Sequence, residues 1–97
     1  MATYKVKNLN GTSDNTVPSG YKSWLDFWSK KSGEPISICQ KQFCFEKATD
    51  GAHVQIDNGG NEWYIVPLCH QHNLSKEVEF YVDGPLVPVN SLYPIRP

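Results

Sequence analysis

Three cysteines and one histidine occur as two close pairs, and their types and spacing are those of metal ligands. Four residues separate Cys39 from Cys44, and two residues separate Cys69 from His72. A closed tetrahedral zinc site uses thiolate sulfur and imidazole nitrogen, and each short pair can supply two corners of it. The pattern uses all three cysteines of the chain, so no thiol remains for a disulfide partner. We therefore predict one Zn²⁺ per chain.

His70 is the alternative to His72 as the fourth ligand. The spacing favours His72, because a cysteine and a histidine three positions apart place both donors on the same side of a first helical turn. Four protein ligands close the coordination shell, so the predicted ion is structural and does not activate water.

Length and composition indicate one small domain that benefits from such an ion. The chain has 97 residues, of which 39% are hydrophobic, a size and content that give a modest core. We predict a single zinc-stabilised domain over residues 1–90 and a flexible tail over 91–97. The first twenty residues contain no apolar run, and no stretch is long enough to cross a membrane, so the expected location is the cytoplasm.

The charge balance bears on the class of partner. Nine lysines and arginines oppose ten aspartates and glutamates, for a formal net charge of −1. Proteins that grip duplex DNA are usually strongly basic, because phosphate neutralisation dominates their affinity. A nucleic-acid surface would here be a local patch, and the lysines that can form it are Lys30, Lys31, Lys41 and Lys47. Nucleic acid and protein both stay open as partners, and no pattern indicates a small-molecule substrate.

Hydrophobic periodicity predicts the elements that precede the ligands. Residues 3–9 alternate apolar and basic side chains, which is typical of a half-buried strand. Residues 20–32 carry apolar side chains at helical spacing, with Ser19 as the expected N-cap and Gly33 as the stop. The side chains expected on the buried face of this helix are Tyr21, Trp24, Leu25 and Trp28.

Two hairpins and a short helix are predicted for the rest of the chain. Residues 51–66 are predicted to form a hairpin with its turn at 57–61, and Pro67 is expected to end the second arm. A helix is expected from Cys69 to about Val78, with Leu74 and Val78 facing inward. Residues 79–82 and 86–89 are expected to form a second hairpin.

The order of these elements resembles a treble-clef zinc finger: a ligand pair in a turn, a ββ hairpin, then a ligand pair at a helix start. Thiolates at a helix N-terminus also meet the positive end of the helix dipole, which favours the anionic sulfur. The predicted fold is thus a small α+β treble-clef domain with an N-terminal amphipathic helix and a C-terminal hairpin.

The core, about residues 36–78, also resembles the HNH branch of the His-Me finger nucleases. The residues that carry the resemblance are Cys39, Cys44, Gly51-Ala52-His53-Val54, Val66-Pro67-Leu68-Cys69, His72-Asn73 and Lys76. On this register His53 matches the general-base histidine of the family. Asn73 stands where the family has its last metal-binding residue, which implies a second divalent cation if the chain is a nuclease.

The chain departs from the HNH pattern at His72, which stands where the family has its last zinc cysteine, and at two positions of the catalytic half. The acidic residue that usually precedes the catalytic histidine is Ala52 here, and the family's central asparagine falls on Tyr64. His53 and Asn73 are few ligands for Mg²⁺, which prefers carboxylate oxygens. The leading hypothesis is therefore a nucleic-acid- or protein-binding module on an HNH-like scaffold, without a complete nuclease site. The alternative is a metal-dependent endonuclease that uses His53 as its general base.

Overall fold

Two helices and five strands make up the described part of the computed structural model, which covers residues 3–8, 17–56, 62–74 and 79–89. In chain order they are β1 (Thr3–Asn8), α1 (Trp24–Ser32), β2 (Asp50–Ile56), β3 (Trp63–Leu68), α2 (His70–Asn73), β4 (Glu79–Asp83) and β5 (Val87–Pro88). This mixture of helix and antiparallel sheet confirms the predicted α+β class. Neither described helix has the length and apolar content to cross a membrane. The predicted tail, residues 91–97, lies outside the described residues.

The strands form one antiparallel sheet in the order β4-β1-β2-β3-β5. The predicted first strand and both arms of the first hairpin are confirmed, while the turn at 57–61 lies outside the described residues. The prediction that Pro67 ends the second arm is wrong, because Pro67 lies within β3, opposite Gly51. Its carbonyl accepts a hydrogen bond from Gln40, on the side away from β2. The proline nitrogen points to that same side, so no hydrogen bond to β2 is lost.

Each face of the sheet carries its own hydrophobic cluster. On one face α1 packs over the sheet, and the buried side chains are Trp24, Phe27, Trp28, Ile65 and Val87. The opposite face holds the three cysteines together with Val6, Ala52, Val54, Val66, Leu68, Phe80 and Val82. Helix α1 lies so close to β2 that a Cβ on Gly51 would come within 2.5 Å of the Leu25 nitrogen. Only glycine permits this approach.

Helix α1 begins at Trp24 with Ser23 as its N-cap, so the prediction that Ser19 caps a helix from residue 20 is wrong. Ser23 has an extended backbone, and its hydroxyl accepts a hydrogen bond from the Asp26 N–H at 3.0 Å. This cap satisfies an N–H group that would otherwise lack a partner. Gly33 ends the helix with φ 77°, as predicted. The buried face includes both expected tryptophans and also Phe27, whereas the expected Leu25 is only half-buried.

Strands β4 and β5 do not form the predicted second hairpin. β4 pairs with β1 and β5 pairs with β3, so the two strands lie at opposite edges of the sheet. The connection between them runs past α1, where the Trp28 indole N–H donates to the Pro85 carbonyl at 2.9 Å. Pairing with strands distant in sequence therefore replaces the predicted local pairing of residues 79–82 with 86–89.

Candidate metal centre

Four side chains from two separate segments converge on one point. The ligand atoms of Cys39, Cys44, Cys69 and His72 all lie within 4.8 Å of one another. His72 Nδ1 is 3.2 Å from the Cys69 sulfur and 3.7 Å from the Cys39 sulfur. Around a tetrahedral Zn²⁺ with bonds of about 2.3 Å to sulfur and about 2.0 Å to nitrogen, these atoms lie about 3.5 Å apart. The four residues can therefore hold a metal ion, and the distances from His72 Nδ1 to the two sulfurs fit a role as the fourth ligand.

The first ligand pair lies in residues 37–48, which we call the ligand loop. Two backbone hydrogen bonds between its arms, of 2.7 and 3.0 Å, close it into a small hairpin. At its tip the Cys44 N–H donates to the Lys41 carbonyl, and Phe43 adopts a left-handed backbone with φ 69°. This tight turn brings the Cys44 sulfur back towards that of Cys39.

The ligand loop is held against the ends of two strands. Gln40 N–H donates to the Pro67 carbonyl of β3 at 2.9 Å, and its own carbonyl accepts from Asp83 N–H of β4 at 2.8 Å. Gln42 N–H donates to the Tyr81 carbonyl at 2.9 Å. The sheet therefore fixes the position of the first pair relative to the second, which directly follows β3.

The second ligand pair opens α2, as predicted. Cys69 is the N-cap residue, and its carbonyl accepts a hydrogen bond from the Asn73 N–H at 3.0 Å. This turn places His72 on the same side as the Cys69 sulfur. Helix α2 ends at Asn73, so Leu74 lies beyond it with 64% of its surface exposed, and the expectation that it faces inward is wrong. Val78 lies outside the described residues.

The chemistry of the donor set fits Zn²⁺. Burial raises the pKa of the Cys39 thiol to about 12, so without a nearby cation this thiol stays protonated at neutral pH. A bound divalent cation reverses that preference, because it stabilises the thiolate directly. Three sulfurs and one imidazole are a familiar set for structural zinc, whose role when bound is to join the two segments.

His70 belongs to a different group of polar contacts. Its Nδ1 lies 2.8 Å from Asp50 Oδ2, which also accepts a hydrogen bond from Asn73 Nδ2 at 2.9 Å. Thr49 donates its hydroxyl to the other carboxylate oxygen at 3.0 Å. Burial raises the pKa of Asp50, but the hydrogen bonds from Asn73 and His70 outweigh it and lower the pKa. No local sequence pattern indicates this role of Asp50, because its partners in α2 lie twenty or more positions away.

His53 is buried under α1 rather than exposed beside the metal ligands. Only 3% of its surface is accessible, and its ring lies edge-on to Trp24, with centroids 4.7 Å apart, and to Trp63 at 6.1 Å. Its Nε2 has no hydrogen-bond partner among the described residues, and burial lowers its pKa to about 4. Strand alternation does place His53 opposite Val54, as expected, but α1 covers that face.

The structure does not bring His53 and Asn73 together. Asp50 and His53 are three positions apart in β2, so their side chains point to opposite faces of the sheet. Asn73 contacts Asp50, whereas His53 contacts the tryptophans under α1. The catalytic roles of both residues stay a prediction.

The ligand loop also exposes two aromatic side chains that are not among the predicted site residues. Phe43 and Phe45 flank Cys44 and are 84% and 80% exposed. They border a cleft of about 520 Å³ whose apolar lining includes Trp28, Pro35, Ile38 and Pro85. The charged residues at this cleft are Glu34, Lys41 and Asp83. We call Phe43, Phe45, Ile38 and this cleft the aromatic loop face.

Comparison of the chain with protein-family models, with curated proteins and with solved structures gives no match. The resemblance to HNH nucleases and to treble-clef fingers therefore stays a prediction.

Proposed function

We propose that this chain is a zinc-stapled binding module and that the aromatic loop face is its contact surface for a protein partner. The observation that carries the proposal is that one short loop both supplies metal ligands and exposes aromatic side chains. It supplies Cys39 and Cys44 to the metal group, and it presents Phe43 and Phe45 to solvent. Zinc held by four protein ligands would keep the loop rigid, which lowers the entropy lost when a partner binds.

The exposure of the two phenylalanines supports a binding role. Large apolar side chains are usually buried, and those that lie exposed beside a cleft often mark interaction sites. The left-handed backbone of Phe43 costs about 1 kcal/mol relative to an ordinary conformation. Local strain of this kind is concentrated at functional positions.

The charges at the cleft indicate the chemistry of the partner. Two carboxylates, Glu34 and Asp83, and one lysine, Lys41, belong to the lining of the cleft, whose other residues are uncharged. A protein segment with an apolar or aromatic side chain for the cleft and a neighbouring lysine or arginine for the carboxylates complements this surface.

A nucleic-acid partner is less well supported. Lys30 forms an ion pair with Asp26 at 3.3 Å, and Lys5 lies 4.0 Å from Glu79, so these charges already have acidic neighbours. The aromatic loop face has more acidic than basic groups at its cleft. A surface that stacks bases normally lies along a positively charged groove.

Nuclease activity is also less well supported. A general base that activates water must reach the solvent, and a neutral base must accept a proton near the working pH. His53 is 3% exposed, and its pKa is about 4.

A peptide-display selection tests the proposal. Random short peptides displayed on phage are selected on the zinc-loaded protein, and the enriched peptides are synthesised and titrated. We expect enrichment of aromatic or aliphatic residues beside lysine or arginine. Phe43→Ser should weaken binding about thirtyfold, the effect of a hot spot worth about 2 kcal/mol. Leu74→Ser, which removes an exposed apolar side chain elsewhere, is the matched control and should bind like the unaltered protein.

Two results would contradict the proposal. One is the absence of any enriched peptide, combined with single-stranded RNA or DNA binding that weakens steeply as salt rises. The other is plasmid nicking with Mg²⁺, Mn²⁺ or Ni²⁺ that disappears in His53→Ala, which would establish the endonuclease alternative.

A further inference from the structure

A single carboxylate connects β2 to both ends of α2. Asp50, the first residue of β2, contacts His70, the first residue of α2, and Asn73, its last residue. Both contacts use Oδ2, at 2.8 and 2.9 Å, while Oδ1 accepts from Thr49 at 3.0 Å. An ionised carboxylate accepts hydrogen bonds and has no proton to donate. His70 Nδ1 must therefore carry the proton in this contact.

A second strand holds α2 from another direction. Asn8, at the end of β1, is buried, and its Nδ2 donates to the Asn73 backbone carbonyl at 2.8 Å. The Asn73 N–H is bonded to the Cys69 carbonyl at 3.0 Å. Asn73 therefore contacts β1, β2 and the ligand Cys69, which accounts for its place in the structure without a catalytic role.

Helix α2 depends on these contacts because it is too short to form alone. It has four residues, and isolated helices shorter than about twelve residues are marginal in water. His72, a proposed metal ligand, is its third residue. The orientation of the imidazole towards the sulfurs, with Nδ1 at 3.2 Å from Cys69, depends on how α2 is held.

We propose that Asp50 is a positioning residue of the metal centre: its carboxylate holds His70 and Asn73 so that His72 Nδ1 faces Cys39 and Cys69. This inference rests on the zinc binding proposed above. Residues that orient metal ligands without touching the ion commonly change metal affinity tenfold to a hundredfold when they are replaced, so about that range is expected here.

The test is zinc affinity of the full chain, measured by competition with a chromophoric chelator. Asp50→Ala should bind zinc about 10- to 100-fold more weakly. Asp50→Asn keeps an oxygen that can accept from His70 and Asn73, so it should recover most of the affinity. Glu62→Ala removes another carboxylate that accepts a side-chain hydrogen bond, from the Tyr64 hydroxyl at 3.1 Å, and is the matched control. Its affinity should equal that of the unaltered protein.

Cobalt(II) spectra separate positioning from a general loss of stability. In Asp50→Ala the three thiolate-to-cobalt charge-transfer contributions should persist, while the ligand-field bands shift as the imidazole is lost or reoriented. If Asp50→Ala does not fold, Asn73→Ala replaces it in the test, because it removes the Asn73 side-chain contact with Asp50 and leaves the His70 contact in place. Its zinc affinity should fall by a smaller factor, with the same kind of change in the cobalt spectrum.

Two different failures are distinguishable. Unaltered protein that binds no zinc would refute the zinc proposal itself. Zinc binding by the unaltered protein, with equal affinity and spectra in Asp50→Ala or Asn73→Ala, would overturn only the role of Asp50.

Discussion

At the scale of single residues, the environment of each histidine decides its chemistry. His72 faces two sulfurs, His70 faces a carboxylate, and His53 faces two tryptophans. The same side chain is thus suited to bind a metal, to hold a helix, or to fill a hydrophobic layer. The ligand pairs could be predicted from the sequence because their spacing is local. The surroundings of His53 could not, because alternation gives the face of a strand and not what covers it.

The buried position of His53 predicts a pH dependence of stability. The pKa of His53 is about 4 in the folded protein, against 6.5 for an ordinary histidine, so between these pH values the unfolded chain binds the proton more readily. Above about pH 6.5, protonation of His53 does not change the free energy of unfolding. As the pH drops from there towards 4, this free energy falls by up to about 3 kcal/mol. We expect the unfolding free energy, measured with urea, to fall more steeply with acid in the unaltered protein than in His53→Phe.

The comparison with His53→Phe matters because acid also protonates the proposed zinc ligands. That effect is common to both proteins, so their difference isolates His53. A difference that stays constant from pH 7.5 to 4.5 would show that His53 is not buried as a neutral side chain.

At the scale of the elements, the sequence predicts structure that neighbouring residues specify. It does not predict strand pairing that depends on residues far apart in the chain. The arms of the β2–β3 hairpin and the stop at Gly33 follow local patterns, and the structure confirms them. The pairing of β4 with β1 and of β5 with β3 has no local signature, because the partners are far apart in the chain. The contacts of Asp50 with α2 were missed for the same reason.

The start of α1 gives a prediction at this scale. Ser23→Ala should lower the unfolding free energy by about 1 kcal/mol, since it removes the side-chain acceptor of the Asp26 N–H. Ser19→Ala is the matched control, because Ser19 is exposed and lies before the helix. Its effect should be within a few tenths of a kcal/mol. Equal losses in both variants, by urea denaturation, would place the cap elsewhere.

At the scale of the whole molecule, the metal ion would connect the ligand loop directly to α2. The ligand loop contacts the sheet through bonds at Gln40 and Gln42, and α2 has only four residues. Structural zinc can contribute about 10 kcal/mol or more to folding in small domains. The binding surface proposed for Phe43 and Phe45 would then exist only while the ion is bound.

Removal of the metal should therefore affect the whole fold. A chelator added to the purified protein should lower the melting temperature measured by circular dichroism, and added Zn²⁺ should restore it. Cys69→Ser, which removes a ligand, should melt at the lower temperature with or without chelator.

Titration of the metal-free protein with cobalt(II) tests the metal centre most directly, because its absorption reports the ligands themselves. We predict thiolate-to-cobalt charge-transfer bands that rise to saturation at one cobalt per chain, with an intensity appropriate to three thiolates, and that are bleached by added Zn²⁺. Titration without such bands, or with no saturation at one equivalent, would contradict the convergence of Cys39, Cys44, Cys69 and His72 on one ion.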